Sequence, residues 1–449
     1  MINEILDFPK ERRKTFFFCL FFLALAIRLC AIFFFTLFPT PKAGINADYE
    51  YGIIARAIAD GKGYSMSIAK PDNTHISQSI INYWPTANQT PFFPYFLSFF
   101  YSFSEGPIAF FLIRIIHAVF SALTCIIMYL IALRLIHYKA AFVLGILCSF
   151  YPLFVSIAVR IVPETFFTFW LSLTILFLFF LKDDPSLRNI AVTGLLMGIT
   201  LLSSNVISPF LPFIGIWLFL NLKGVLRNKL LKICLVFSIA ILVIAPWLVR
   251  NYLVFNKFPL LKSTAGLNLW LGNNPSSSGT FFSKGGEDLF DVITKKFPEG
   301  FKLSEVEQDA IFYREAIDYI KANPFNYLKL VIKRFYYFWW FPPDEFVTGS
   351  TTSYKKLMTV PYTVILILCI MGIFNIMREN WRGCLLIIAL MLSISLMYSL
   401  FVVGHLRYRV PVEPYVLLFA SQAIFLFVQQ FVKICTSHEK IKTRHDFKK

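Results

Sequence analysis

The chain has 449 residues, of which 57% are hydrophobic and 15% are charged, and its mean hydropathy is +0.64. Soluble domains carry about 25% charged residues, so this composition excludes a soluble globular protein and indicates a chain dissolved in lipid. The net charge of +17 does not indicate a nucleic-acid partner, because the basic residues stand at the ends of apolar stretches, as the positive-inside rule predicts.

Ten segments have the apolarity of a membrane-spanning helix, which needs roughly 20 residues. In chain order they are 15–38, 107–133, 139–159, 164–181, 189–206, 207–222, 230–249, 357–377, 384–403 and 410–434. Two further apolar stretches, 90–103 and 327–343, are short or carry basic residues, and we interpret them as interfacial or half-length helices. The sequence therefore predicts an all-α integral membrane protein with about 10–13 helices.

The polar connections fall into two sets with different charge. Segment 221–232 holds four basic residues and no acid, and the tail after 434 is also basic, whereas the long loops 39–89 and 250–326 are almost balanced. Since basic connections stay in the cytoplasm, we expect both termini there and both long loops in the periplasm of a bacterial inner membrane. The predicted units are a transmembrane module with the first long loop at 1–249, a periplasmic element at 250–326, C-terminal transmembrane helices at 327–434 and a basic cytoplasmic tail at 435–449.

The first long loop contains two carboxylates, Asp48 and Glu50, at the start of a predicted amphipathic helix that ends at Gly61 and Gly63. Asp is among the best N-cap residues, so one interpretation is that Asp48 caps this helix. A cap also holds a carboxylate rigidly, and a rigid carboxylate at the membrane surface can act as a general base. The spacing leaves both interpretations open.

A third acid, Glu164, stands at the outer end of a predicted span, where a charge is unfavourable unless it is paired or functional. A pair with Arg160, one helical turn earlier, is the structural alternative. Arg250, Arg407 and Arg409 fall on the same predicted face, against the positive-inside preference. Each arginine alone can be explained by snorkelling to the interface. Together with the acids they predict a site for an anion such as phosphate, which arginine binds well.

The second long loop has the signals of a small folded element. A helical pattern runs through 303–322, and Ser304 and Glu307 have the spacing of a capping box. A transporter seldom needs such an appendage, whereas an enzyme that handles a lipid headgroup at the interface can use one. The cysteines lie mostly inside apolar segments without metal-ligand spacing, so no structural metal site is expected.

An ordered set of fragments resembles the C-type glycosyltransferases (GT-C), in particular bacterial relatives of protein O-mannosyltransferases and of the lipid A aminoarabinose transferase. The fragments are the acidic loop with its helix ending in GKGYS, P-T-x-x-x-x-P-x-x-P at 85–94, Pro-Glu at 163–164, APWLVRNY at 245–252, GLNLWLGNNP at 266–275, ANPFNYLKL at 322–330 and RYRVPVEP at 407–414. There is one departure. Relatives often carry a basic residue near the outer end of the span before 207, where this chain has Leu202–Asn205.

The resemblance implies a GT-C transmembrane bundle with two extracytoplasmic loop elements. It also implies an inverting transfer of a sugar from a polyprenyl-phosphate carrier to a lipid, glycan or protein outside the cytoplasm. Asp48 is the expected general base, and Glu50 or Glu164 would orient the acceptor. Fixed cations would favour the charge that develops on the departing phosphate, without an essential metal or other cofactor. The expected substrate-binding residues are Arg250, Asn251, Arg407, Arg409, Tyr51 and Tyr408.

Two other functions remain open: a transporter or flippase for a lipid-linked sugar, and a membrane polymerase or ligase of polysaccharide that uses a similar carrier. A transporter is expected to place ionisable groups near the bilayer midplane. In this sequence only Arg28 and Arg114 stand deep inside predicted spans, while the carboxylates lie toward one face. This distribution favours an enzyme whose partners are a polyprenyl-linked donor and membrane lipids.

Overall fold

The computed structural model describes residues 10–37, 48–68, 82–104, 106–259, 261–296, 303–341, 349–401 and 406–446. It is 81% helical, and its strands form one two-stranded sheet within these ranges. The predicted all-α class is confirmed.

The first half of the chain contains α1 (Lys10–Leu37), α2 (Tyr49–Ala59), β1 (Ser65–Ile68), β2 (Asn82–Pro85), α3 (Phe92–Tyr101), α4 (Gly106–Leu135), α5 (Tyr138–Phe150), α6 (Pro152–Ala158), α7 (Pro163–Asp183), α8 (Leu187–Ser203), a 3₁₀ helix (Asn205–Phe210) and α9 (Leu211–Asn221). The second half contains α10 (Leu226–Phe255), α11 (Ala265–Gly272), α12 (Leu289–Lys296), α13 (Glu305–Ala322), α14 (Pro324–Trp339), α15 (Gly349–Leu400), a 3₁₀ helix (Leu406–Arg409) and α16 (Glu413–Asp446).

Among the described residues, six helices are long and apolar enough to cross a membrane, or seven if α5 and α6, which meet at 47°, form one span. The 52 residues of α15 are two helical segments, because Asn380 has the non-helical backbone angles φ −142° and ψ 61°. Helix α8 and the 3₁₀ helix that continues into α9 are shorter apolar helices. A helix thus lies at each of the ten predicted segments.

The outer surface of the bundle is apolar, as a lipid solvent requires. Phe18, Phe22 and Phe34, from the phenylalanine-rich first helix, are all more than half exposed. Inside the bundle, small residues let helix backbones approach closely. At Gly372 on α15, a Cβ atom would stand 1.9 Å from the carbonyl oxygen of Phe419 on α16.

The deep cation Arg28 is fully buried and is held by hydrogen bonds within the bundle. Its guanidinium donates to Ser121 Oγ at 2.8 Å and to the carbonyl oxygens of Ala24 and Ser149, each at 2.9 Å. Buried charges are stable only when they are paired in this way. Arg28 therefore joins three helices, and its donors are used in structural contacts.

The described parts of the two long loops lie together at one end of the bundle. In the first loop, β1 and β2 pair antiparallel, with Met66 opposite Trp84. In the second, the predicted helix at 303–322 is α13, and the Glu307 carboxylate accepts from the Ser304 backbone N–H at 3.1 Å and from its hydroxyl at 2.6 Å. The predicted helix and its capping interaction are confirmed. Helix α10 continues to Phe255, past the unit boundary predicted at 249.

Candidate functional site

A cavity of about 590 Å³ lies where the two loops meet the ends of the helices. Its wall comes from the first turn of α2, the segment 88–90, the start of α7, the segment 203–206 and the segment 262–268. Tyr398 and Phe401 at the end of α15 also line it, as do Arg407 and Tyr408. The second loop adds Phe281, Phe282, Asp288 and Phe290. Residues far apart in sequence thus converge on one concave surface, the usual form of a small-molecule site.

The first turn of α2 presents Glu50 to the cavity. Its Oε1 atom accepts a hydrogen bond from the Gln89 amide at 2.7 Å. Tyr51 also lines the cavity, and its ring meets that of Phe93 edge-on, with centroids 5.5 Å apart. Burial raises the pKa of Tyr51 well above its ordinary value, so its hydroxyl stays protonated. Tyr49 begins the helix with φ +50°, a left-handed conformation that is uncommon outside glycine.

Asp48 is buried, but it does not line the cavity. Its Oδ2 atom accepts from the Tyr101 hydroxyl at 2.6 Å and lies 2.7 Å from Arg56 Nη2. The carboxylate lies over Gly52, where a Cβ atom would stand 1.8 Å from Oδ2. Asp48 occupies the N-cap position, yet its side chain makes no capping hydrogen bond. The capping interpretation is therefore wrong, because the partners of this carboxylate are Arg56 and Tyr101 and not the backbone N–H groups of the first turn.

Glu164 begins α7 and lines the cavity. Its Oε1 atom lies 3.3 Å from Arg407 Nε, so the ion pair of this carboxylate is with Arg407 rather than Arg160. Glu164 is only 7% exposed, and its Oε2 atom has no hydrogen-bond partner in the described part of the chain. Burying a carboxylate oxygen without a hydrogen-bond partner costs free energy. In a cavity wall, such an oxygen indicates that a bound ligand donates a hydrogen bond to it.

Arg407 is enclosed by aromatic rings as well as by the acid. Its guanidinium carbon lies 5.7 Å from the centroid of Tyr49 and 5.6 Å from that of Tyr408. Tyr408 stacks on Tyr398, with centroids 4.6 Å apart and planes at 11°. Burial by itself lowers the pKa of Arg407, but the Glu164 carboxylate outweighs it, so the pKa is raised and the cation is permanent.

A second cation in the cavity wall, Lys262, was missed by the sequence interpretation. It makes no hydrogen bond or ion pair with another residue in the ranges that the structure covers, although Glu50 lies near enough to act on its charge. Burial lowers the pKa of Lys262 to about 8, against the attraction of Glu50. Its neighbours are fixed: the Trp247 indole donates to the Leu261 carbonyl at 3.0 Å, and the Ser263 N–H donates to the Ala87 carbonyl at 2.9 Å.

The cavity wall includes the segment 203–205, where the resemblance led us to expect a basic residue. Ser203, Ser204 and Asn205 line it, and none of them is charged. Lys262 lines the same cavity from the second loop. The sequence contains no local signal for this placement, since a lone lysine in a polar loop is most often a solvated charge.

Two predicted substrate-binding residues, Arg250 and Asn251, lie outside the cavity wall. The Arg250 guanidinium donates to the carbonyl oxygens of Thr86 at 2.7 Å and Tyr64 at 2.8 Å, and to Asn251 Oδ1 at 3.1 Å. Arg250 thus fastens the end of α10 to the segment that follows β2. Asn251 is 1% exposed and takes part in the same contact.

Arg409 also lies away from the cavity. It is 1% exposed, forms an ion pair with Glu413, and places its guanidinium carbon 3.9 Å from the ring centroid of Tyr362. Glu413 in addition accepts from the Tyr151 hydroxyl at 2.8 Å. This cluster joins α16 to α15 and to the residue between α5 and α6. Arg407 is left as the predicted arginine that faces the cavity.

Glu305, at the start of α13, joins the two loops behind the cavity. Its carboxylate accepts from the hydroxyls of Thr86 and Ser263 and from the Ala87 backbone N–H, the last at 2.9 Å. Burial raises the pKa of Glu305 although these hydrogen bonds act in the opposite direction. We name Glu305, Thr86, Ala87 and Ser263 the loop clasp. It holds Lys262 and Gln89 in their places, and the sequence pattern gave no sign of it.

No group of three His, Cys, Asp or Glu side chains that could hold a metal ion occurs among the residues the structure describes. The expectation that no metal is essential stays a prediction.

Comparisons with known proteins bear on this geometry. A family model described as dolichyl-phosphate-mannose-protein mannosyltransferase matches residues 88–249, which is less than half of the chain. The structure is similar to the apo oligosaccharyltransferase of Archaeoglobus fulgidus, with a TM-score of 0.55 at 13% identity over 97% of this chain and 52% of that one. It is also similar to AglB of the same organism, in complex with an inhibitory peptide and a dolichol-phosphate, with a TM-score of 0.53 at 14% identity over 95% of this chain and 52% of that one.

The chain has the C-type glycosyltransferase fold. It spans about half the length of the archaeal oligosaccharyltransferase it matches. ArnT of Cupriavidus metallidurans, bound to undecaprenyl phosphate, gives a TM-score of 0.39 at 12% identity over 90% of this chain and 77% of that one, and the fold assignment does not depend on it. No curated protein matches the sequence. In this fold the cavity lies at the junction of the transmembrane bundle with both loop elements.

Proposed function

We propose that the protein is a glycosyltransferase that moves a sugar from a polyprenyl-phosphate carrier to an acceptor outside the cytoplasm, with inversion at the anomeric carbon. One observation carries the proposal: within a C-type fold, two cations and three carboxylates line one cavity that is open to both loops. The cations are Arg407 and Lys262, and the carboxylates are Glu50, Glu164 and Asp288. A cation pair suits the phosphate of the donor, and a carboxylate suits the hydroxyl of the acceptor.

The donor phosphate is assigned to Arg407 and Lys262. As the bond between the anomeric carbon and the phosphate oxygen breaks, the leaving phosphate gains charge, so contacts with fixed cations strengthen in the transition state. Arg407 is held in place by Glu164 and by the rings of Tyr49 and Tyr408. An arginine fixed in this way needs little reorganisation during the reaction.

The general base is assigned to the first turn of α2, and to Glu50 within it. The acceptor oxygen attacks the anomeric carbon from the side opposite the phosphate, and its proton passes to the carboxylate. Glu50 lines the cavity and is oriented by Gln89, whereas Asp48 is bound to Arg56 and Tyr101. Asp48 is accordingly proposed as a positioning residue that fixes the turn. Glu164, with one carboxylate oxygen without a partner in the described chain, is proposed to orient the acceptor.

The transporter alternative finds less support. Arg28, the deepest charge in the first helix, uses its donors in contacts between helices. Glu164 Oε2, which has no hydrogen-bond partner among the described residues, and the Lys262 side chain both belong to the cavity wall next to the loops.

The test is transfer by purified protein in nanodiscs, supplied with a polyprenyl-phosphate sugar labelled in the sugar and with extracted envelope lipids, glycans and proteins as acceptors. We expect labelled acceptor and free polyprenyl phosphate in equal amounts. Arg407→Ala, with Arg409→Lys as the control outside the cavity, is expected to lower turnover by about 30-fold or more. If liposomes containing the protein moved the intact lipid across the bilayer without cleaving it, the transporter would replace this proposal.

A further inference from the structure

A second concave site adjoins the candidate active site and shares part of its wall. This α13 groove has a volume of about 630 Å³ and lies between the segment that follows α10 and one face of α13. Lys262 and Ala265 line both the groove and the cavity, whereas Ser263 lines the groove and Thr264 lines the cavity. We name residues 262–265 the rim. A ligand that crosses the rim occupies both concave sites.

The rim is fixed, yet one of its hydroxyls is unused. The Thr264 carbonyl accepts hydrogen bonds from the Asn268 backbone N–H at 3.1 Å and from the Asn268 amide at 2.7 Å. Thr264 stands at the N-cap position of α11, but its side chain makes no capping hydrogen bond. It is 7% exposed, and its Oγ1 atom has no hydrogen-bond partner in the part of the chain that the structure describes. A buried hydroxyl of this kind in a cavity wall indicates that a bound ligand supplies the partner.

Helix α13, the opposite wall of the groove, is fixed relative to the rim. The Leu267 backbone N–H donates to Asp309 Oδ1 at 2.8 Å. A Cβ atom at Gly266 would stand 1.9 Å from the Asp309 carbonyl oxygen, so the backbones of α11 and α13 touch here. Because α11 begins at the rim, these contacts hold both walls of the groove at a constant separation.

The groove wall presents hydrogen-bond donors, acceptors and aromatic rings together. Arg314, Asp318 and Tyr313 line it from α13, and none of the three makes a hydrogen bond or ion pair with another residue in the described ranges. Phe258 lines it from the other side, and its ring stacks on that of Tyr252 with centroids 4.7 Å apart. A sugar hydroxyl can donate to a carboxylate and accept from a guanidinium, while the apolar face of a sugar ring can pack on an aromatic side chain.

The charges in this wall favour a neutral ligand. Apart from Lys262, which is assigned to the donor phosphate, the described lining residues include two acids and two bases: Asp309, Asp318, Arg314 and Lys321. A balanced wall does not select an anion, whereas a wall of one sign does. An extended peptide often pairs with the edge of a sheet, but the described walls of this groove are a helix and a loop segment.

We propose that the α13 groove and Thr264 bind the acceptor, and that the acceptor is a neutral saccharide of at least two sugar units. The reacting unit lies in the cavity, where its hydroxyl meets Glu50. The next unit crosses the rim, hydrogen-bonds to Thr264 Oγ1 and lies in the groove between Tyr313 and Phe258. This assignment rests on the proposed transferase function and names the chemical class of its acceptor.

The test is transfer by the full chain in nanodiscs from a polyprenyl-phosphate sugar labelled in the sugar. The acceptor probes are neutral saccharides released from the cell envelope and separated into one, two and three sugar units, envelope lipids freed of saccharide, and envelope protein. We expect the label on saccharide, with kcat/KM rising by about 10-fold or more from one unit to two.

The triple variant Tyr313→Ala, Arg314→Ala, Asp318→Ala should lose that gain and raise the KM of the two-unit acceptor by about 10- to 100-fold. The effect should fall on the KM of the acceptor, since the groove lies outside the reacting centre. The matched control is Phe325→Ala, Lys295→Ala, Asp291→Ala, which removes one ring, one cation and one acid at positions that line neither concave site. Thermal unfolding of both triple variants shows whether the fold is kept.

A single substitution tests the rim. Thr264→Val has nearly the same shape without the hydroxyl and should raise the KM of the two-unit acceptor by about 10-fold, whereas Thr264→Ser should keep the wild-type value. Equal acceptor KM in the groove and control variants would overturn the groove assignment while the transferase stands. Label on protein, or on lipid without saccharide, would overturn the saccharide class alone. No cleavage of the donor with any acceptor would overturn the transferase itself, and the acceptor site with it.

Discussion

At the residue scale, the two carboxylates at the start of α2 have different partners, and this difference predicts different kinetics. Glu50→Gln should lower kcat by about 100-fold or more, because the base is lost. Asp48→Asn should give a smaller loss of rate, from a loosened turn. The measurement is kcat and kcat/KM for both variants at one fixed pH. If Asp48→Asn instead loses most of its turnover and Glu50→Gln keeps it, Asp48 is the base that the sequence predicted.

Lys262 gives the site a pH dependence on the alkaline side. Because burial lowers its pKa to about 8, the ammonium is present below that pH and is lost as the pH rises through it. The KM for the donor should therefore rise above pH 8 in the wild type. Lys262→Arg should abolish this limb, since arginine does not titrate there. Lys262→Ala should lower kcat/KM by about 10- to 100-fold at pH 7, as expected for a lost charge-assisted contact. An unchanged alkaline limb in Lys262→Arg would assign the titration to another group.

At the scale of elements, the loop clasp decides whether the two loops form one wall. Glu305→Ala should leave the Ala87 N–H and two hydroxyls without their acceptor, at about 1–3 kcal/mol for the buried N–H alone. We expect lower thermal stability, faster proteolysis in both loops and reduced transfer. The control is Glu307→Ala on the same helix, which removes an exposed capping contact and should leave transfer unchanged. Equal loss of transfer in both variants would mean that helix stability matters and the clasp does not.

At the scale of the whole molecule, charge asymmetry predicts that both long loops face the periplasm and both termini the cytoplasm. Single cysteines at the exposed positions Lys62 and Glu287, in a background without native cysteines, should label with an impermeant reagent in intact spheroplasts. A cysteine at the exposed Lys223, in a basic connection, should label only after permeabilisation. Labelling of only one loop position would show that an odd number of crossings separates the loops.

The sequence by itself determined the class of the protein, the positions of the ten apolar segments that form helices and the capping box at Ser304. Hydropathy and helical periodicity are properties of about 20 consecutive residues, so a linear pattern contains them fully. The sequence also predicted that Glu50, Glu164, Arg407, Tyr51 and Tyr408 belong to one site. In the structure these five side chains line one cavity.

The tertiary structure alone decided which charges face that cavity. The partner of Asp48 is Tyr101, 53 residues away, and Arg250 is fixed by a carbonyl 164 residues away. Lys262 enters the wall because Glu305, 42 residues further along the chain, holds Ser263 beside the first loop. The direction of a charged side chain depends on which donors and acceptors packing brings near it, and local pattern does not encode that choice. Of the three arginines that the sequence predicted for the site, Arg407 therefore faces the cavity, whereas Arg250 and Arg409 make structural contacts.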